Sequence, residues 1–171
     1  MSIPVEIERK YIIMKPTEQA LSLFEGYSRS EIEQIYLKSD GGITHRIRRR
    51  TSPEGKAVFT ETKKRRIDSL SSFEEERKIT EEEYLTLKAN RDTNTVPIIK
   101  TRHCFTYSGQ LFEIDVYPLW KNTAIMETEL KDREQAVAFP KEIKIIREVT
   151  GDRRYSNAGM SKSFPKEYII L

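Results

Sequence analysis

Apolar and polar side chains alternate along most of this chain. In Val5-Glu6-Ile7-Glu8-Arg9-Lys10-Tyr11-Ile12-Ile13, Glu6, Glu8 and Lys10 share one face of an extended strand. Val5, Ile7, Arg9, Tyr11 and Ile13 share the other, because successive side chains of a strand point to opposite sides. The same period predicts seven more strands, at 31–38, 43–50, 56–64, 73–79, 98–107, 112–116 and 123–131. Turn residues between them (Asp40-Gly41-Gly42, Pro53-Glu54-Gly55, Ser108-Gly109-Gln110) make these antiparallel hairpins. Helices are expected to be few. Thr17 caps a short one running to about Phe24, and Thr80 with Glu83 forms a capping box for one running to about residue 90. A helical turn is expected over 132–137 and another helix from Pro140 toward Ile146. The last twenty residues read as loop ahead of an apolar tail at 168–171. The predicted class is mainly β with some α, in one domain spanning 1–171.

The polar faces of these strands are unusual. Charged residues recur at every second position as Glu6/Glu8/Lys10, Arg46/Arg48, Glu61/Lys63, Glu74/Glu76, Lys100/Arg102, Glu113/Asp115 and Glu127/Glu129. A solvated sheet face scatters mixed polar residues singly; here most pairs carry one sign and seven of eight strands carry a pair. Eight antiparallel strands close into a barrel whose inward positions alternate with outward ones. If the charged set points inward, the lumen is polar and the apolar faces point out toward covering helices. Buried charge must be paired, hydrated or bound to a ligand. Carboxylates suit hard cations such as Mg²⁺ or Mn²⁺, and Arg side chains suit phosphoryl oxygens.

Composition sharpens this picture. Of 171 residues, 37% are apolar and 33% charged, so charge is spent on more than a thin surface, yet net charge is only +3. That balance argues against a nucleic-acid coat. Cys104 is the sole cysteine, which excludes an internal disulfide and a cysteine-based zinc site. No apolar run is long enough to span a bilayer and residues 1–14 do not read as a signal peptide, so the expected compartment is the cytoplasm, with no membrane partner. His45 and His103 fall on apolar faces, where packing is the expected role. Trp120 is expected to pack as well. The run Lys63-Lys64-Arg65-Arg66 reads as solvated loop charge, leaving nucleic acid an unlikely partner.

Glu-Ile-Glu-Arg-Lys at 6–10 resembles the ExExK signature of the CYTH family, the triphosphate tunnel metalloenzymes. Arg-Ile-Arg (46–48), Glu-Thr-Lys (61–63), Glu-Glu-Glu (74–76), Lys-Thr-Arg (100–102), Glu-Ile-Asp (113–115), Glu-Thr-Glu-Leu (127–130) and Glu-Val-Thr-Gly-Asp with Tyr-Ser-Asn (148–157) resemble further family motifs in family order. The resemblance implies an eight-stranded tunnel that binds a triphosphate and needs divalent metal. On its terms Lys10, Arg46, Arg48, Lys63, Lys100 and Arg102 hold phosphates. Glu6, Glu8, Glu127 and Glu129 hold metal, and together with Lys10 they are the catalytic set. Glu74, Glu76, Glu113 and Asp115 are nearby carboxylates that also qualify as ligands. Six such cations against eight acids leave the lumen two charges negative, whereas tripolyphosphate itself carries about four to five negative charges; two Mg²⁺ or Mn²⁺ ions reverse that sign. The implied activity is hydrolysis of a triphosphate, inorganic tripolyphosphate first, by in-line attack of water. A class IV-type adenylate cyclase, a thiamine triphosphatase and a non-catalytic binder of polyphosphate or RNA 5′ ends stay open at this point. A homodimer suits the family.

Overall fold

The computed structural model describes residues 5–168. Nine strands form one antiparallel sheet: β1 (Val5–Met14), β2 (Glu25–Leu37), β3 (Ile43–Thr51), β4 (Ala57–Arg66), β5 (Ser71–Ile79), β6 (Ile98–Tyr107), β7 (Gln110–Val116), β8 (Thr123–Leu130) and β9 (Ile145–Glu148). Neighbours run β5-β4-β3-β2-β6-β7-β8-β1-β9, and β5 also pairs with β1. Eight strands therefore make a ring, the expected tunnel-like barrel. The ring closes through a short register, Val5 to Phe73, Glu6 to Ser72 and Ile7 to Ser71. Past Ile7 that edge of β1 is left by β5 and taken by β9, with Tyr11 opposite Glu148 and Ile13 opposite Ile145.

That handover corrects the helix expected from Pro140 to Ile146. Only a turn forms there, with Ile143 N–H donating to the Pro140 carbonyl, and the chain then extends. The backbone of β1 at Lys10 to Met14 has polar groups that need partners in a buried place. Val149 N–H donates to the Lys10 carbonyl and Met14 N–H to the Lys144 carbonyl, at 2.8 and 2.9 Å. The helical turn expected over 132–137 forms only as one turn, with Gln135 N–H donating to the Asp132 carbonyl at 3.4 Å, and does not continue. There Asp132 Oδ1 accepts from Glu134 N–H and Gln135 Oε1 from Lys131 N–H, so side chains compete for the backbone groups a helix would use.

Among the described residues three α-helices form: α1 (Glu18–Leu21), α2 (Glu81–Ala89) and α3 (Asn157–Lys162). Thr17 caps α1 and the Thr80/Glu83 capping box is complete. The closing region, expected to be loop, instead carries a 3-10 turn at Arg153–Tyr155 and then α3. The Asp152 and Ser156 side chains cap these two turns. The apolar tail lies outside the described residues beyond Tyr168. The hairpin at Ser108-Gly109 is a two-residue loop with φ of 49° and 73°, the left-handed backbone that Gly accepts readily.

The apolar side chains sort into three clusters. One covers the outer face of β1 and β6–β8, including Tyr11, Ile13, Phe105, Phe112, Ile114 and Met126. A second, around Ile35, Ile47, Ile79 and Tyr84, lies between β2–β5 and α2. The third lies inside the ring. Ile12, Ile98 and Ile125 share the inward faces of Lys10, Lys100 and Glu127 and gather with Tyr36, Tyr117, Trp120, Tyr155 and Met160. Trp120 thus packs, as expected, and its Nε1–H donates to the Pro165 carbonyl. This plug, backed by α3, fills part of the interior at the end where β1 reaches Ile12. We call this the deep end.

Candidate active site

The remaining interior is a cavity of about 860 Å³. Its walls are built by hairpin register, since directly opposed residues share a face. Glu8 faces Glu129 and Lys10 faces Glu127 across β1/β8; Glu113 faces Glu127 across β7/β8. Arg46 faces Tyr36 and Thr62, and Lys64 faces Glu74. The structure brings twelve of the fourteen expected site residues to this one cavity: Glu6, Glu8, Lys10, Arg46, Arg48, Glu74, Glu76, Lys100, Arg102, Glu113, Glu127 and Glu129.

Two expectations are corrected. Lys63 is exposed and does not line the cavity, whereas Lys64 does. The 53–55 turn pairs Thr51 with Ala57, so Arg46 meets Thr62; the even-numbered residues of β4 then point inward. Glu61, assigned to the same face as Lys63, points outward too, accepting from Arg77 at 2.5 Å and lying 2.7 Å from His45 Nε2. Asp115 is fully buried but does not reach the cavity. It accepts from Arg102 through both oxygens, at 2.7 and 2.8 Å, and from Lys100 at 2.6 Å. Bound that way it orients two cations and is not placed to ligate metal. The lining also includes residues the alternation did not single out: Tyr36, Arg66, Arg153, Asn157 and Lys162.

The charges pair closely. Lys10 Nζ lies 2.7 Å from Glu127, Arg46 3.3 Å from Glu74, Arg48 3.1 Å from Glu76, and Lys64 3.2 and 3.1 Å from Glu6 and Glu74. Arg102 also contacts Glu113, and lies 3.4 Å from Glu127. Burial alone would raise the Glu127 carboxyl, but Lys10, Arg102 and Lys100 around it hold it well below the usual range. It is an anion at any working pH. Glu6 behaves oppositely: burial and the neighbouring Glu74, against the pull of Lys64, push it up to about 7. Burial, reinforced by Arg102, brings the Lys100 ammonium down to about 8 despite Asp115. Arg46 Nε is buried without a hydrogen-bond partner.

Glu8 and Glu129 stand out, because they face each other across two strands with little cationic help. Lys10 approaches Glu8 only to 4.0 Å, and among the described residues no cation lies within that distance of Glu129. Like charges directly opposed in a sheet are destabilising, which a shared cation relieves. Among the described residues, no three Asp, Glu, His or Cys side chains converge into a ready cage for a metal ion. Mg²⁺ does not require one, since it commonly takes one or two carboxylates and completes its shell with water and phosphate oxygens. The donor set therefore fits a cation shared with a phosphorylated ligand.

The chain has the fold of the CYTH-type triphosphate tunnel proteins. The inorganic triphosphatase NE1496 is 25% identical, over 94% of this chain and 96% of that one, with a TM-score of 0.58. The protein PH1819 from Pyrococcus horikoshii is 22% identical over 75% of this chain and 80% of its own, at TM-score 0.53. HpAC1 from Hippeastrum, described as an adenylyl cyclase candidate with a dominant triphosphatase activity, is 15% identical over 75% of this chain and 81% of its own, at TM-score 0.52. No family model matches the chain, and no curated protein does. Among the described residues, no helix is long and apolar enough to cross a membrane.

Proposed function

We propose that this protein is a divalent-metal-dependent triphosphatase whose substrate is inorganic tripolyphosphate, hydrolysed inside the tunnel by water. The observation that supports this most is the convergence of opposed acidic and basic clusters on a single polar cavity within a triphosphate-tunnel fold. Nine basic and nine acidic side chains line it, so the tunnel alone offers a polyanion no net attraction. Mg²⁺ or Mn²⁺ bound with Glu8, Glu129 and the acids near them supplies the missing positive charge and Lewis-acid polarisation of phosphoryl oxygens.

The chain's own side chains do the rest. Arg46, Arg48 and Arg102 grip nonbridging phosphate oxygens, and the unpartnered Arg46 Nε is a donor ready for one. Lys10, Lys64 and Lys100 add compact charge along the phosphate chain. Glu127 stays ionised and holds Lys10 in place. Glu6, poised near neutrality, is suited to take a proton from the attacking water. Phosphoryl transfer asks chiefly for positioning and charge stabilisation, and no covalent nucleophile is required.

A panel of tripolyphosphate, ATP, GTP, thiamine triphosphate and pyrophosphate, each with Mg²⁺, Mn²⁺ or EDTA, tests this reading. Phosphate release is expected to be fastest on tripolyphosphate and to stop in EDTA. Cyclic AMP formed from ATP as the main product would overturn the hydrolase in favour of a cyclase. Tight binding without any turnover would favour a non-catalytic binder.

A further inference from the structure

Asn157 is the first residue of α3, and it lines the tunnel at the deep end. Its amide is oriented by two neighbours. Lys100 Nζ donates to Oδ1 at 3.3 Å and the Tyr117 hydroxyl donates to the same oxygen at 3.0 Å. An ammonium group has only protons to give, so turning the amide end for end would set NH₂ against NH₃⁺. Nδ2 must therefore face away from Lys100, and it has no acceptor among the described residues. Lys10, the other deep-end ammonium, donates to the Tyr155 carbonyl, two residues before Asn157, at 3.4 Å. Together these place two unused N–H donors in the cavity that Lys10 and Lys100 also line.

The segment carrying them is stiff. The Ser156 hydroxyl accepts from Gly159 N–H, and Tyr155 is buried in the plug. A Cβ on Gly159 would sit 2.0 Å from the Arg153 carbonyl oxygen, so only glycine permits this tight passage from the 3-10 turn into α3.

We propose that Asn157 Nδ2 is a phosphate-binding donor at the deep end of the tunnel, taking an oxygen of the terminal phosphoryl group. This rests on the triphosphatase reading above and extends it to a residue outside the charged set. A neutral donor adds a hydrogen bond to the phosphate without adding positive charge beside Lys10 and Lys100. Its carbonyl end fixes Lys100 while its amino end meets the ligand, so the closing segment of the chain takes part in binding.

The test is calorimetric titration, with Mg²⁺ present, of a non-hydrolysable methylene-bridged analogue of tripolyphosphate into the wild type, N157A, N157D and R46A, with thermal unfolding of each variant as a control. Asp is nearly isosteric and keeps the acceptor that Lys100 and Tyr117 use, but it replaces the donor by an oxygen. Both N157A and N157D are expected to weaken binding, by about ten- to a hundredfold for a lost hydrogen bond to a charged group. Wild-type affinity in N157D would mean that Asn157 only buttresses Lys100, and would overturn the proposal. Wild-type affinity in N157A with loss in N157D would mean charge repulsion alone, and would overturn it too. If R46A loses affinity while both Asn157 variants keep it, the tunnel reading stands and this proposal falls. If the wild type does not bind, both fall.

Discussion

Replacing Glu129 by Gln should improve the metal-free protein and cripple the enzyme. Glu129 and Glu8 are direct cross-strand partners, so their Cβ atoms lie about 5 Å apart, and that spacing sets the scale for their carboxylates. Coulomb's law with an effective dielectric between 20 and 80 gives a repulsion of about 1–3 kcal/mol, the lower figure applying as water enters. The amide removes that repulsion while keeping the shape. In a chain of this size each kcal/mol moves the midpoint by about 2–4 °C, so Tm in EDTA should rise by roughly 2–12 °C. The same change removes a carboxylate from the cation site, and Mg²⁺-dependent tripolyphosphate turnover should fall by about a hundredfold or more. The added stabilisation of the wild type by Mg²⁺ and tripolyphosphate together should shrink in the variant. Differential scanning fluorimetry with and without EDTA, paired with phosphate release, measures all of this. A variant that melts lower in EDTA and still turns over normally would refute the reasoning, since the pair would then be ordinary surface charge.

Three further outcomes follow from the geometry. Lys64→Ala should raise KM for tripolyphosphate by about tenfold or more, because it strips the cation between Glu6 and Glu74; Lys63→Ala, at an exposed position, should leave steady-state kinetics unchanged. Asp115→Asn leaves two buried cations short of their partner, at a cost of about 3–5 kcal/mol, so Tm should fall by roughly 6–20 °C in thermal melts. The pH profile of kcat/KM should fall on the alkaline side with a midpoint near 8: Lys100 is protonated and holds phosphate below its lowered pKa of about 8 and is neutral above it. A profile flat to about pH 9.5 would remove Lys100 from binding.

The barrel and most of its lining were legible because period-two alternation records which face is inside, and the charges marked the inner face strongly. Lys63 lies outside the tunnel for a local reason. Alternation within residues 61–64 offers Glu61/Lys63 or Thr62/Lys64 equally, and the hairpin register from the 53–55 turn decides between them. Carrying the pairing of Thr51 with Ala57 back to Arg46 would have found Lys64. The fate of Asp115 was not readable from spacing, since a bidentate bond with Arg102 is a matter of three-dimensional reach. The β9 strand was hidden because its partner is a strand edge that becomes free only where β5 leaves β1, a consequence of ring closure. Asp152, which caps the 3-10 turn, and Ser156, which caps α3, are cap residue types, but Gly151 and Gly159 read as loop. Gly159 turns out to be required by the Arg153 carbonyl pressed against it.

The most direct measurement follows tripolyphosphate by ³¹P NMR in ¹⁸O-labelled water with Mg²⁺, with a parallel sample in EDTA. Hydrolysis by water in the tunnel is expected to give phosphate and pyrophosphate in equal amounts, with one ¹⁸O per cleavage and no reaction in EDTA. An absence of turnover, or equal turnover with and without the chelator, would contradict a metal-dependent triphosphatase.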